Sequence, residues 1–85
     1  MKEKIKCEVW QDQKPPTLEK LQELVGGYIE VIPINNIAGH KQCQLIINEE
    51  GSLYGLPVNR DASIIAKREI VGNAVILTGD NKLTW

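Results

Sequence analysis

The segment between Pro15-Pro16-Thr17 and Gly26-Gly27 constrains the fold most tightly. Within it Leu18, Leu21, Leu24 and Val25 recur at spacings of three, three and one, which sets them on one apolar stripe of a helix. Thr17 supplies an N-cap oxygen, and Glu19 places an anion in the first turn, where the helix dipole favours it. The glycine pair stops the helix, because glycine accepts the left-handed conformation of a C-cap. The element is therefore short, about two turns.

Most of the remaining apolar sequence reads as strand. Eleven Ile and six Val stand beside eight Leu, two Tyr, two Trp and no Phe, an enrichment in β-branched side chains that favours sheet. Lys4 to Gln11 alternates, with Ile5, Cys7 and Val9 on one side and Lys4, Lys6, Glu8 and Trp10 on the other. Tyr28 to Ile34 is apolar at both parities, which predicts a central strand covered on both faces, with Pro33 near its end. Asn35 to Lys41 reads as a polar loop holding Gly39 and His40, and Cys43 to Asn48 as the third strand. Asn48-Glu49-Glu50-Gly51 has type I turn chemistry, so Ser52 to Tyr54 is expected to return as a short hairpin arm.

Asn59 is the N-cap of a second helix over Arg60 to Arg68, with Asp61 in its first turn and Lys67 and Arg68 at its end. Ile70 to Asn73 interrupts the pattern. Ala74 to Thr78 is the last strand, stopped by Gly79-Asp80-Asn81, and Leu83-Thr84-Trp85 is left as an edge segment or a packed tail. The order is β-α-β-β-α-β in one α+β domain over residues 1–85. Two arrangements suit it: the ferredoxin-like split pattern, or a compact irregular roll with two short helices.

Size and charge narrow the function. A chain of 85 residues buries roughly 60–65% of its unfolded surface, enough for a small core but not for a deep active site. The net charge of −1 argues against non-specific nucleic-acid binding, which needs clustered cations. No apolar stretch approaches the roughly 20 residues needed to span a bilayer. Met1 to Lys6 is charged and no apolar segment follows, so the expected location is the (host) cytoplasm, with Cys7 and Cys43 as reduced thiols. No cofactor or metal is expected.

Catalytic constellations are thin. One histidine and no Gly-x-Ser-x-Gly elbow argue against a triad hydrolase, and both cysteines fall on apolar strand faces. The candidates for ligand or partner contact are Trp10, Tyr28, Asn48, Glu49, Tyr54, Asn59 and Arg60. Trp10 on the polar side of its strand would be an interface anchor. Arg60 could offer a bidentate fork to a phosphate or carboxylate. Asn48 and Asn59 have simpler roles open to them, in a turn and a cap. No role is assigned to His40 or Trp85.

Four blocks carry a resemblance: Leu24-Val25-Gly26-Gly27-Tyr28-Ile29-Glu30-Val31-Ile32, Leu45-Ile46-Ile47-Asn48-Glu49-Glu50-Gly51, Gly55-Leu56-Pro57-Val58-Asn59-Arg60-Asp61-Ala62 and Ile70-Val71-Gly72-Asn73-Ala74-Val75. In this order they are similar to the domain-of-unknown-function family 3846. The resemblance implies a small accessory protein of the kind encoded by bacteriophages, plasmids and mobile elements, and implies no activity at any position. The expected function is a non-enzymatic binding or inhibitor module, acting in counter-defence by sequestering a nucleotide signal or capping a host protein. A homo-oligomer is expected, because so small a chain forms a ligand cavity most easily between subunits. Two rivals stand beside it. One is a nuclease-like enzyme using Glu30, Glu49, Glu50 or His40, which requires its carboxylates to converge. The other is a regulatory adaptor with weak nucleic-acid contact through Lys2, Lys4 and Lys6.

Overall fold

A computed structural model describes residues 5–12, 14–37, 39–79 and 82. Its elements run β1 (Cys7–Val9), α1 (Leu18–Val25), β2 (Ile29–Ile37), β3 (His40–Asn48), α2 (Arg60–Ala66) and β4 (Ala74–Thr78). The class is α+β and the element order is the expected one. The strands form one mixed sheet in the order β1-β4-β3-β2, with β1 parallel to β4 and the other neighbours antiparallel. β1 and β2 therefore run the same way, and the split between them holds both β3 and β4.

The register sorts the core into two faces. Leu45 lies opposite Ile76 and Ile46 opposite Val75. Leu45, Ile47, Ala74 and Ile76 pack with Ala62 of α2 and with Ile70, whereas Ile46, Val75 and Leu77 pack with Leu21 and Val25 of α1. Each helix thus covers one face, and β3 and β4 are buried on both. This is why Leu45-Ile46-Ile47 and Ala74-Val75-Ile76-Leu77 are unbroken apolar runs. Burying each Leu, Ile or Val of these runs contributes about 1.5–3 kcal/mol.

β2, expected at the centre, is instead an edge strand. The edge explains Pro33, because a strand with one neighbour leaves alternate N–H groups outside the ladder. The β2–β3 hairpin is also longer than expected. Asn35 pairs with Gln42 and Ile37 with His40, so most of the expected 35–41 loop is ladder. Backbone pairing there proceeds without an apolar pattern to announce it. The side chain of His40 lies outside the described residues, as do Lys2, Lys4, Asp80, Asn81 and residues 83–85.

α1 is capped as the sequence predicts. Thr17 Oγ1 accepts from Lys20 N at 3.1 Å, and Gly26, at φ +84°, donates its N–H to Gln22 O at 2.8 Å. α2 is capped by Asn59 but stops at Ala66, two residues short of the expectation, where Lys67 turns left-handed at φ 59°. The hairpin arm expected at Ser52 to Tyr54 does not form. Successive turns replace it, with Leu53 N donating to Glu50 O at 2.9 Å and Leu56 N to Gly51 O at 3.2 Å. Gly51 is buried against Val71, whose Cγ2 would stand 2.8 Å from an added Cβ. Val58 and Val71 then bridge, closing the segment that carries α2.

Cys7 and Cys43 are free thiols. β4 lies between their strands, which sets them about 10 Å apart across the sheet alone. That exceeds the roughly 7 Å between Cα atoms that a disulfide tolerates.

Candidate functional site

Two of the sequence candidates are buried amides that hold the chain together. Asn48 closes β3 and is 4% exposed; its Nδ2 donates to Val25 O at 3.1 Å and its Oδ1 accepts from Glu50 N at 2.8 Å. One side chain thereby ties the end of α1 to the following turn. Asn59 is 3% exposed. Its Oδ1 accepts from Ala62 N at 3.1 Å as the cap, while its Nδ2 donates to Gly72 O at 2.9 Å and to Lys6 O at 3.0 Å. Both amides have donor and acceptor engaged inside the chain, as buried polar groups require.

The exposed candidates are spread over the surface. Glu49 N donates to Tyr28 O at 2.8 Å, so these two residues sit together where β2 begins and β3 ends. Tyr54 protrudes beside Leu53 from the turns of residues 49–55, the two side chains being 62% and 78% exposed. Arg60 opens α2 and is exposed, on the opposite side of the sheet from α1. The structure does not gather these residues into one pocket.

The acidic rivals are partly spent. Glu30 and Glu49 lie at the same end of the β2–β3 pair, since Ile29 faces Asn48 and Glu30 faces Ile47. Glu30, however, pairs with Arg68, Oε2 to Nη2 at 3.1 Å. Among the described residues no group of three His, Cys, Asp or Glu is placed to hold a metal ion. Burial, and secondarily the charge of Asp61, pushes the Cys7 thiol above its ordinary pKa of 9.0. A thiol shifted in that direction is a poorer nucleophile at neutral pH.

Trp10 has a different setting from the one the alternation implied. The side of β1 that carries Lys6, Glu8 and Trp10 is the side α1 covers, so the indole packs against the cluster of Leu21, Val25 and Val75. Its Nε1 donates to Lys14 O at 2.8 Å. Beside it, between β1 and α1, opens a cleft of about 330 Å³. Trp10, Leu24 and Val75 line its apolar part, and the exposed Lys6, Glu8 and Asp12 stand at its mouth. Asn73 braces it: Oδ1 accepts from Lys6 N at 2.9 Å, and Nδ2 donates to Leu24 O at 3.3 Å. Sequence reasoning treated Asn73 as part of a break and missed this role. Its partners lie far away along the chain, which leaves no local signal.

A family model described as Domain of unknown function (DUF3846) matches residues 2–84. The chain belongs to DUF3846. No curated protein and no solved structure matches it. The blocks that carried the DUF3846 resemblance fall at the end of α1 and the start of β2, the end of β3, the approach to α2, and the start of β4. Asn48, Asn59 and Asn73 stand in three of them, each clasping backbone from a distant segment. The DUF3846 match also spans both walls of the cleft. Among the described residues of this DUF3846 chain, no helix is long and apolar enough to cross a membrane.

Proposed function

We propose that this DUF3846 chain is a non-enzymatic binding module that inhibits another protein by capping it. The reading rests on the cleft beside Trp10. Its lining is apolar, and at its mouth Glu8 and Asp12 outnumber Lys6. Such a mouth disfavours a phosphate electrostatically and suits an apolar or basic side chain. The volume lies at the small end of the range for ligand sites, room for one large side chain. Tryptophan is among the residues that carry most binding energy at protein interfaces. The phage or mobile-element setting implied by the family resemblance fits a factor that blocks a host process, with antiviral defence as the process blocked. Sequestration of a nucleotide signal is the second reading, and it would use the same cleft.

The test is purification of the full chain from an expressing bacterial host, with mass spectrometry of bound proteins and bound small molecules. Capping predicts a stoichiometric protein partner that is lost with Trp10→Ala and kept with Arg60→Ala. It also predicts no thermal shift with cyclic dinucleotides or ADP-ribose derivatives. A nucleotide-induced shift abolished by Trp10→Ala would replace capping with sequestration. Turnover of a substrate that disappears with Glu30→Gln or Glu49→Gln would overturn the non-enzymatic reading altogether.

A further inference from the structure

β1 forms one edge of the sheet, and its pairing with β4 decides which backbone groups point outward. Ala74 N donates to Lys6 O at 2.8 Å, and Trp10 N donates to Ile76 O at 2.9 Å. In a parallel ladder, residues bonded to the neighbour alternate with residues whose N–H and C=O point away from it. Lys6, Glu8 and Trp10 thus turn toward β4, and Ile5, Cys7 and Val9 offer their N–H and C=O groups to the open side. Among the described residues, β4 is the one strand paired with β1. An edge of this kind is a template for another strand. β2, the other edge, carries Pro33 at its middle, where a proline interrupts pairing.

We infer that β1 pairs antiparallel with β1 of a second copy of this chain, about a twofold axis through Cys7. The charges select both the occupant and the register. Outward-facing residues must meet outward-facing residues, so Ile5, Cys7 and Val9 of the two copies are set against one another. Placing Cys7 opposite Ile5 would put Lys6 against the partner's Lys6. Placing Cys7 opposite Val9 would put Glu8 against the partner's Glu8. Placing Cys7 opposite Cys7 puts each Lys6 across from Glu8 of the partner subunit. Directly opposed like charges destabilise a strand pair and opposite charges stabilise it. The third register also uses all three outward residues on each side.

Lys6 and Glu8 are free to make this exchange. Their side chains are 62% and 67% exposed, and their contact within one copy is loose, 3.8 Å. Pairing across the edge joins the two sheets into one and brings both α1 faces to the same side. The two Trp10 clefts then lie next to each other, and Lys6 of the partner subunit joins Glu8 at the mouth of each. The edge is short, so the interface falls at the weak end of specific association and dissociates in the micromolar range. This inference goes beyond the capping reading and does not need it.

Sedimentation equilibrium of the full chain, from micromolar to sub-millimolar concentration, tests the pairing. The wild type is expected to dimerise reversibly. Lys6→Glu and Glu8→Lys, each confirmed as folded by circular dichroism, are expected to remain monomeric throughout. The double variant Lys6→Glu/Glu8→Lys restores opposite charges in the same register and is expected to dimerise again. A wild type that stays monomeric at sub-millimolar concentration overturns the inference. So does a dimer indifferent to the single charge reversals, or a double variant that fails to recover. Loss of the dimer with a protein partner still captured through Trp10 would leave capping standing alone, so the two proposals fail separately.

Discussion

Asn59→Ala is expected to be among the most damaging single substitutions in this chain outside the apolar core. The alanine loses the N-cap, which costs about 1 kcal/mol. It also withdraws two donors from the carbonyls of Lys6 and Gly72. Lys6 O keeps the 2.8 Å bond from Ala74 N, so the greater burden falls on Gly72 O. Leaving one buried acceptor unsatisfied costs about 1–3 kcal/mol. The sum is about 3 kcal/mol, against a total stability of about 4–13 kcal/mol for a domain of this length. At about 4–8 °C per kcal/mol, the midpoint of thermal unfolding should fall by about 12–24 °C. Urea unfolding followed by circular dichroism gives the same quantity at constant temperature. Asn59→Asp supplies the control, because it keeps the cap oxygen while aiming a carboxylate at the same two carbonyls. Burial against carbonyls raises the folded pKa of such a carboxyl, so stability is retained below its unfolded value of about 3.9 and lost as pH rises. The deficit of Asn59→Asp relative to wild type should therefore shrink on acidification. A loss below about 0.5 kcal/mol for Asn59→Ala, the scale of an ordinary surface change, would refute the clasp.

Two further outcomes follow from local geometry. Lys67 occupies the left-handed region at φ 59° as the C-cap of α2, so Lys67→Gly should stabilise the chain by about 0.5–1 kcal/mol; an unchanged urea midpoint would contradict this. The raised pKa of Cys7 means that its contribution is fully present below the ordinary value of 9.0 and is lost as pH climbs through the folded value. Urea midpoints measured from neutral to strongly alkaline pH should fall less steeply for Cys7→Ala than for wild type, and equal slopes would contradict burial of the thiol.

Where order is set by neighbours in sequence, the fold was readable. Thr17, Gly26 and Asn59 cap their helices as their chemistry dictates, because a cap bonds within three or four residues. The apolar runs of β3 and β4 read as strands from the sequence, and the structure buries both of them on both faces. β2 shows a similar run, yet it lies at the edge, where Val31 and Pro33 are exposed. Periodicity reports how apolar a strand is, not which strand lies beside it. Trp10 was misplaced for a related reason. Alternation gives two sides to β1, but the position of α1 decides which is inward. In the candidate site, the capping oxygen of Asn59 was legible, whereas the bonds from its other end reach Lys6 and Gly72. No local pattern could announce such reach.

The place of β4 beside β1 has a consequence for how the molecule is made. Lys6 and Asn73, joined where this pair begins, are 67 positions apart. As the chain leaves a ribosome, β1 has no mate within the sheet until β4 emerges, and closing so long a loop slows folding. A product cut short before Ala74 would lack the strand that β1 pairs with, leaving an unclaimed ribbon of main chain for proteases to find.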